Sequence, residues 1–197
     1  MPKFTEQEKV EIRKNLLYKG RELFIQNGLS KTSIDDIVHA CKIGKGTFYK
    51  FFSSKEELYF EVLKNEEEVR ETVLLQLYKE NLSPVQLIKS FFYTSFEFVE
   101  KNPFLQRALQ NEEHELLMRK LPNEMSAFSE YNTNRGILAI QSLIESNVLP
   151  DKDPKVIVGI FQAIMMLRLH KKEIGEELFS DVMEEIISFV AKGLTKE

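Results

Sequence analysis

Apolar residues recur at spacings of three and four along almost the whole of this 197-residue chain, and no convincing alternating run competes with them. That regularity restricts the chain to an all-α fold in which each helix buries a stripe against its neighbours. The breaks are equally legible. Gly28, Asn81-Leu82-Ser83-Pro84, Asn102-Pro103, Leu121-Pro122 and the loop Leu149-Pro150-Asp151-Lys152-Asp153 divide the pattern. The spacing predicts helices over about 5–27, from just after Lys31, and over about 45–51, 54–79 and 84–101. Further helices are expected from Phe104, over about 125–147, 154–169 and 176–192. Thr5 and Glu8 have the spacing of a capping box, and Thr32 or Ser33 caps the second helix, with Asp35 and Asp36 in its first turn. The charged segment 111–123 reads as a mobile or partly helical connector.

The segment Ser33 to Phe52, SIDDIVHACKIGKGTFYKFF, carries the most specific signal. Ile34, Ile37 and Val38 give one short helix an apolar face, while Ile43, Phe48 and Phe52 serve the turn and the next helix. Packed against Leu23 and Phe24, they make a helix-turn-helix. Lys45, Thr47, Tyr49 and Lys50 are left facing outward, and Gly46 presents no side chain, so backbone amides can approach a phosphate. Taken singly, the two lysines also read as solvated charge and Tyr49 as a half-buried aromatic.

Charge supports contact with nucleic acid. The net charge of −4 conceals an asymmetry: residues 1–55 hold eleven Lys and Arg against six Asp and Glu, a local +5, and the remainder carries −9. Binding responds to the local field, so the basic third is where double-stranded DNA is expected.

The pattern Gly28, Thr32-Ser33, Ile34-x-x-Ile37, Ile43-Gly44-Lys45-Gly46-Thr47-Phe48-Tyr49-x-x-Phe52 and Ser54-Lys55-Glu56-Glu57-Leu58 resembles the TetR/AcrR family of transcriptional regulators over roughly residues 8–63. The resemblance implies a three-helix DNA-binding domain over 1–53. It implies a helical effector-binding and dimerisation domain over 54–197, with the helix from about 54 to 79 linking the two. It also implies that Thr47 and Tyr49 touch the DNA backbone or adjacent bases and that Lys45 and Lys50 approach bases or phosphates. Lys55, with Thr32 or Ser33, would bind phosphate, and Gly46 belongs to the same surface. Two positions depart from the family pattern: Lys42 stands where a turn glycine is usual, and Gly44 replaces the usual serine cap.

The resemblance further implies a homodimer, an operator of palindromic DNA and release by a small molecule. The helices over 154–169 and 176–192 are apolar on more than one side, which suits either a dimer interface or an internal core. Candidate effector contacts are Phe91, Phe92, Phe96, Phe128, Tyr131, Gln162, Met165 and Met166, which would favour a largely apolar ligand; the same residues also suit plain core packing. The alternative function is a helix-turn-helix protein with no effector, acting through protein partners.

Enzymatic chemistry finds no support: no Gly-rich phosphate loop, catalytic pair, metal set or cofactor site is discernible. His114-Glu115 begins like a zinc-protease motif, but Met118 holds the second histidine position, and Glu112, Glu113, His114 and Glu115 read as a solvated charge run. The single cysteine, Cys41, excludes an internal disulfide and reads as a small buried filler, with thiol sensing as the other reading. A charged N-terminus without an apolar core and the absence of a membrane-length apolar run predict a cytoplasmic protein.

Overall fold

The computed structural model describes residues 4–109 and 111–195. Among them every regular element is helical. The order is α1 (Glu6–Lys31), α2 (Ile34–Cys41), α3 (Lys45–Phe48), α4 (Lys55–Gln76), α5 (Pro84–Glu100), α6 (Pro103–Ala108), α7 (Asn111–Lys120), α8 (Pro122–Glu145), α9 (Pro154–Leu167), α10 (Lys171–Ile174) and α11 (Phe179–Gly193). Single 3-10 turns follow α4 at Leu77–Lys79 and α9 at Arg168–His170.

Local chemistry accounts for most boundaries. Thr5 caps α1 with the reciprocal Glu8 bond of a capping box. Gly28 interrupts α1 at φ 79°, ψ 167°, so the last residues of that element form a separate turn. Ser33, rather than Thr32, caps α2, and Asp36 returns the bond to the Ser33 amide. α2 ends with Ile43 N–H donating to Val38 O at 3.0 Å and Lys42 N–H to His39 O at 3.1 Å, the paired bonds of a Schellman motif. Asn102 caps α6, with Pro103 at its first position.

The chain divides into two compact units. One extends to Arg70 and adds Val99–Met125; the other comprises Glu71–Phe98 and the chain from Ser126 onward. This division differs from a cut at 53/54, because α6 and α7 pack on α1 within the first unit. The core of that unit includes Leu16, Phe24, Ile37, Phe48, Leu58 and Tyr59. Tyr59 lies between Phe24 and Phe104, with ring centroids 4.9 and 4.8 Å away. In the second unit, Ile88 and Phe92 of α5, Ile140 of α8, Ile157 and Ile164 of α9 and Ile187 of α11 share one core.

Several elements differ from expectation. α3 is four residues long and passes into turns at Tyr49–Phe51 rather than continuing to Phe51. The segment 111–123, expected to be a mobile or partly helical connector, is helical over most of its length, as α7. Glu112 and Glu113 at its start and Arg119 and Lys120 at its end complement the helix dipole, and Glu113 and Leu117 are buried one turn apart. The final segment starts as the short α10, and α11 begins at Phe179 rather than Glu176.

Candidate nucleic-acid interface

α1 supplies the floor on which the helix-turn-helix rests. Phe24 of α1, Ile37 of α2 and Phe48 of α3 are fully buried, and Phe48 packs on Phe52 at 6.0 Å between centroids. This apolar seam holds α2 and α3 so that their polar residues face solvent. Tyr49 is 55% exposed, Lys45, Gly46 and Lys50 are exposed, and Thr47 is half-buried. A side chain at Gly46 would meet open space, so nothing but hydrogen stands in front of that backbone.

An open groove runs along this face. Thr32, Ser33, Lys45, Tyr49 and Lys55 all line it, together with Ser53 and neighbouring residues. Three separate stretches of chain, the turn before α2, the α3 helix and its exit, and the segment from Ser53 into the start of α4, thus contribute to one surface. Gly46, Thr47 and Lys50 lie on α3 or just beyond it, outside the groove lining.

The polar groups of this face are already partnered. Lys45 Nζ pairs with Asp35 Oδ1 at 2.9 Å, and the hydrogen bond to that carboxylate holds the ammonium above the usual lysine range. Lys50 Nζ lies 5.1 Å from the Phe4 ring centroid, a cation–π contact. Ser33 Oγ is exposed but bonded to Asp36. Thr32 is buried, its hydroxyl donating to Gly28 O at 2.7 Å. A phosphate role for the Thr32 side chain is therefore difficult in this geometry. Lys55 is similarly engaged: Nζ donates to Leu29 O at 2.7 Å, Ser30 O at 3.1 Å and Thr32 O at 2.7 Å. These carbonyls follow the break in α1, where the helix leaves them without partners. The spacing that marks Lys55 in the sequence does not reveal this, since the carbonyls reach it only through tertiary packing.

Lys42 has φ 55° and ψ 42°, the left-handed conformation that the end of α2 requires. Cys41 is buried, and burial pushes its thiol up to about 11, so it is protonated and a poor nucleophile at neutral pH.

The eight candidate effector contacts do not share one environment. Phe92 is fully buried, Phe91, Phe96 and Met165 pack around the same core, and Phe161 joins them at 4.8 Å from Phe92. Phe128 is half-buried. Tyr131 and Met166 are mostly exposed. Gln162 is exposed too, its amide donating to Thr133 Oγ1 at 3.1 Å. Glu113 departs from expectation in the opposite direction. It is 7% exposed, and its carboxylate accepts the Leu29 N–H at 3.0 and 3.2 Å. Its charged neighbours in sequence mask this, and only the i, i+4 relation to Leu117 hints at a buried face.

Among the described residues, no group of three or more His, Cys, Asp or Glu is arranged to hold a metal ion. No helix among them is long and apolar enough to cross a membrane.

Residues 16–62 match the family model for bacterial regulatory proteins, tetR family. The chain is 29% identical over 90 residues to the HTH-type transcriptional repressor DhaR of Mycobacterium sp. (strain GP1), a match spanning 45% of this chain and 46% of DhaR. It is 25% identical over 179 residues to the "Probable acrEF/envCD operon repressor" of Escherichia coli (strain K12), covering 84% of this chain and 79% of that protein. The fold is similar to that of a TetR-family transcriptional regulator from Pectobacterium atrosepticum, with a TM-score of 0.71, 18% identity and coverage of 98% and 99% of the two chains.

Proposed function

Because the chain belongs to the TetR/AcrR family of DNA-binding transcriptional regulators, we propose that it is a homodimeric repressor that grips a palindromic operator and releases it on binding a small, largely apolar molecule. The observation that carries the DNA side of this reading is the convergence of Ser33 at the start of α2 with Lys45 and Tyr49 at the two ends of α3 on one open groove beside the bare Gly46. Tyr49 and Lys50 reach bases or phosphates, and Lys45 exchanges Asp35 for the nucleic acid. Lys55 acts chiefly by holding the turn before α2, and the helix-turn-helix enters the major groove as a whole. The reading places the protein in the cytoplasm, in contact with its target genes, with no catalytic role.

Dimerisation is assigned to α9 and α11. Val156 and Met166 on α9 and Phe189 on α11 are more than half exposed, and Ile160, Ile186 and Val190 are half-buried. Apolar side chains at this density on neighbouring elements of one unit suit burial against a second copy. Two recognition helices then meet half-sites about 34–36 Å apart, and effector binding acts by changing that separation. α4, whose residues belong to both units, is the element assigned to carry the change. A second reading, DNA binding without a small-molecule effector, draws on the dispersed environments of Phe92, Tyr131, Gln162 and Met166.

Selection of bound duplexes from a random DNA pool tests the proposal. A palindromic sequence with two half-sites one helical turn apart is the expected product. A pool that fails to enrich defeats DNA recognition, and an enriched single half-site defeats the dimer.

A further inference from the structure

The turn that joins α1 to α2 is held from two sides, by Lys55 at the start of α4 and by Glu113 of α7. At Gly28 the helix breaks with positive φ, and the residues 28–32 set the direction in which α2 departs. Lys55 takes the carbonyls of this turn: Leu29, Ser30 and Thr32. Glu113 of α7 takes its amide, both carboxylate oxygens lying within 3.2 Å of Leu29 N. Arg107 of α6 completes the arrangement. Its Nη1 donates to Ile25 O at 3.2 Å, and its Nε lies 3.6 Å from Glu113 Oε1. Gly28 is bare where these groups pass: a Cβ there would lie 2.5 Å from Glu113 Oε1 and 2.8 Å from Arg107 Nη2.

A carboxylate buried on a backbone amide, beside a guanidinium, is costly to leave unmatched. The Tyr59 hydroxyl is buried beside the same carboxylate, and its burial and the nearby Glu113 charge raise its pKa. Removing Glu113 thus strips an acceptor from the Leu29 amide and a counter-charge from Arg107 at once. The position affected is the hinge point of α2, against which α3 packs.

We propose that Glu113 is a positioning residue for DNA binding: from α7 it locks the Gly28–Leu29 corner and so sets how α2 and α3 are presented to the duplex. The proposal rests on the DNA-binding reading above, and it adds that the segment carrying α6 and α7 takes part in forming the competent DNA-binding surface. The Gly28–Thr32 turn is then a clamp with its amide held by one helix and its carbonyls by another.

The test compares Glu113→Ala and Glu113→Gln with wild type and with Ile140→Val, a core truncation in the other unit. Amide exchange at Leu29 and affinity for the selected operator are measured at a temperature where circular dichroism shows each protein folded. Glu113→Ala is expected to speed Leu29 exchange and weaken operator binding by about tenfold. Glu113→Gln keeps one oxygen acceptor and restores much of the amide protection and part of the affinity. Ile140→Val lowers the melting temperature but changes neither readout. Wild-type exchange and affinity in Glu113→Ala overturn the proposal, as does affinity that simply tracks melting temperature across all the variants. Where Glu113→Ala does not fold, Glu113→Gln decides: a partial loss in both readouts supports the clamp, and full retention of both defeats it. Wild-type protein that enriches no DNA defeats the DNA-binding reading as well, whereas equal binding by wild type and variant defeats only the role of Glu113.

Discussion

Tyr49 and Lys50 carry polar ends into solvent at the exit of α3, and the two residues have different partners at rest. The Tyr49 ring packs edge-on to Phe48, with centroids 5.5 Å apart, while Lys50 lies over Phe4. The packed ring costs little entropy to orient, so its hydroxyl is the better placed for an ordered contact. Tyr49→Phe and Lys50→Ala are each expected to weaken operator binding by about 1–3 kcal/mol if the contact is ordered or base-specific. A gel-shift titration at fixed salt checks this, and unchanged affinity for both removes them from the interface. Lys42 illustrates the strain that the same motif carries. Its left-handed backbone disfavours a side chain by about 1–2 kcal/mol, yet the paired amides at the end of α2 require that geometry. Exposure at Lys45 and Tyr49 was legible from spacing. The engagement of Lys55 and the burial of Glu113 were not, because the backbone groups that receive them lie 26 and 84 residues away.

At the scale of elements, capping and dipole chemistry explain why short helices are defined at all. α2 has only eight residues, below the length at which an isolated helix is stable, so its ends and its packing must hold it. Ser33 Oγ accepts the Asp36 N–H at 3.1 Å and Asp36 accepts the Ser33 N–H at 2.9 Å. The hydrogen bonds from Ser33 hold the Asp36 carboxyl below its ordinary value. A depressed carboxyl contributes stability above its unfolded pKa and loses it as the pH falls through the folded one, so this cap weakens only in acid. Ser33→Ala is expected to destabilise the protein by about 1 kcal/mol at neutral pH, read as a lower urea midpoint with an unchanged slope. A midpoint equal to wild type would show that packing of Ile37 and Val38 suffices. α7 is the counterexample to reading by composition: its charges suggest a solvated connector, but Glu113 and Leu117 form a buried stripe on one face.

For the molecule as a whole, charge and apolar surface divide the work between regions. The basic excess of residues 1–55 suits a polyanion, and the exposed apolar residues of α9 and α11 suit another protein surface. Phe189, 68% exposed, is the largest such side chain on α11. Phe189→Glu is expected to shift the protein from dimer to monomer in analytical ultracentrifugation and to weaken palindrome binding without altering helix content. A dimer that persists would move the interface elsewhere. The all-α class, the position of the helix-turn-helix and the residues left outward on α3 and its exit are legible in the chain alone, because they follow from periodicity, caps and turns within a few residues of one another. Long-range packing sets the rest: α6 and α7 join the first unit, Lys55 and Glu113 grip the Gly28–Thr32 turn, and Phe91, Phe92 and Phe96 pack in one core. Those outcomes depend on which distant backbone groups lack partners and which faces meet, and neither is encoded in the spacing of any single segment.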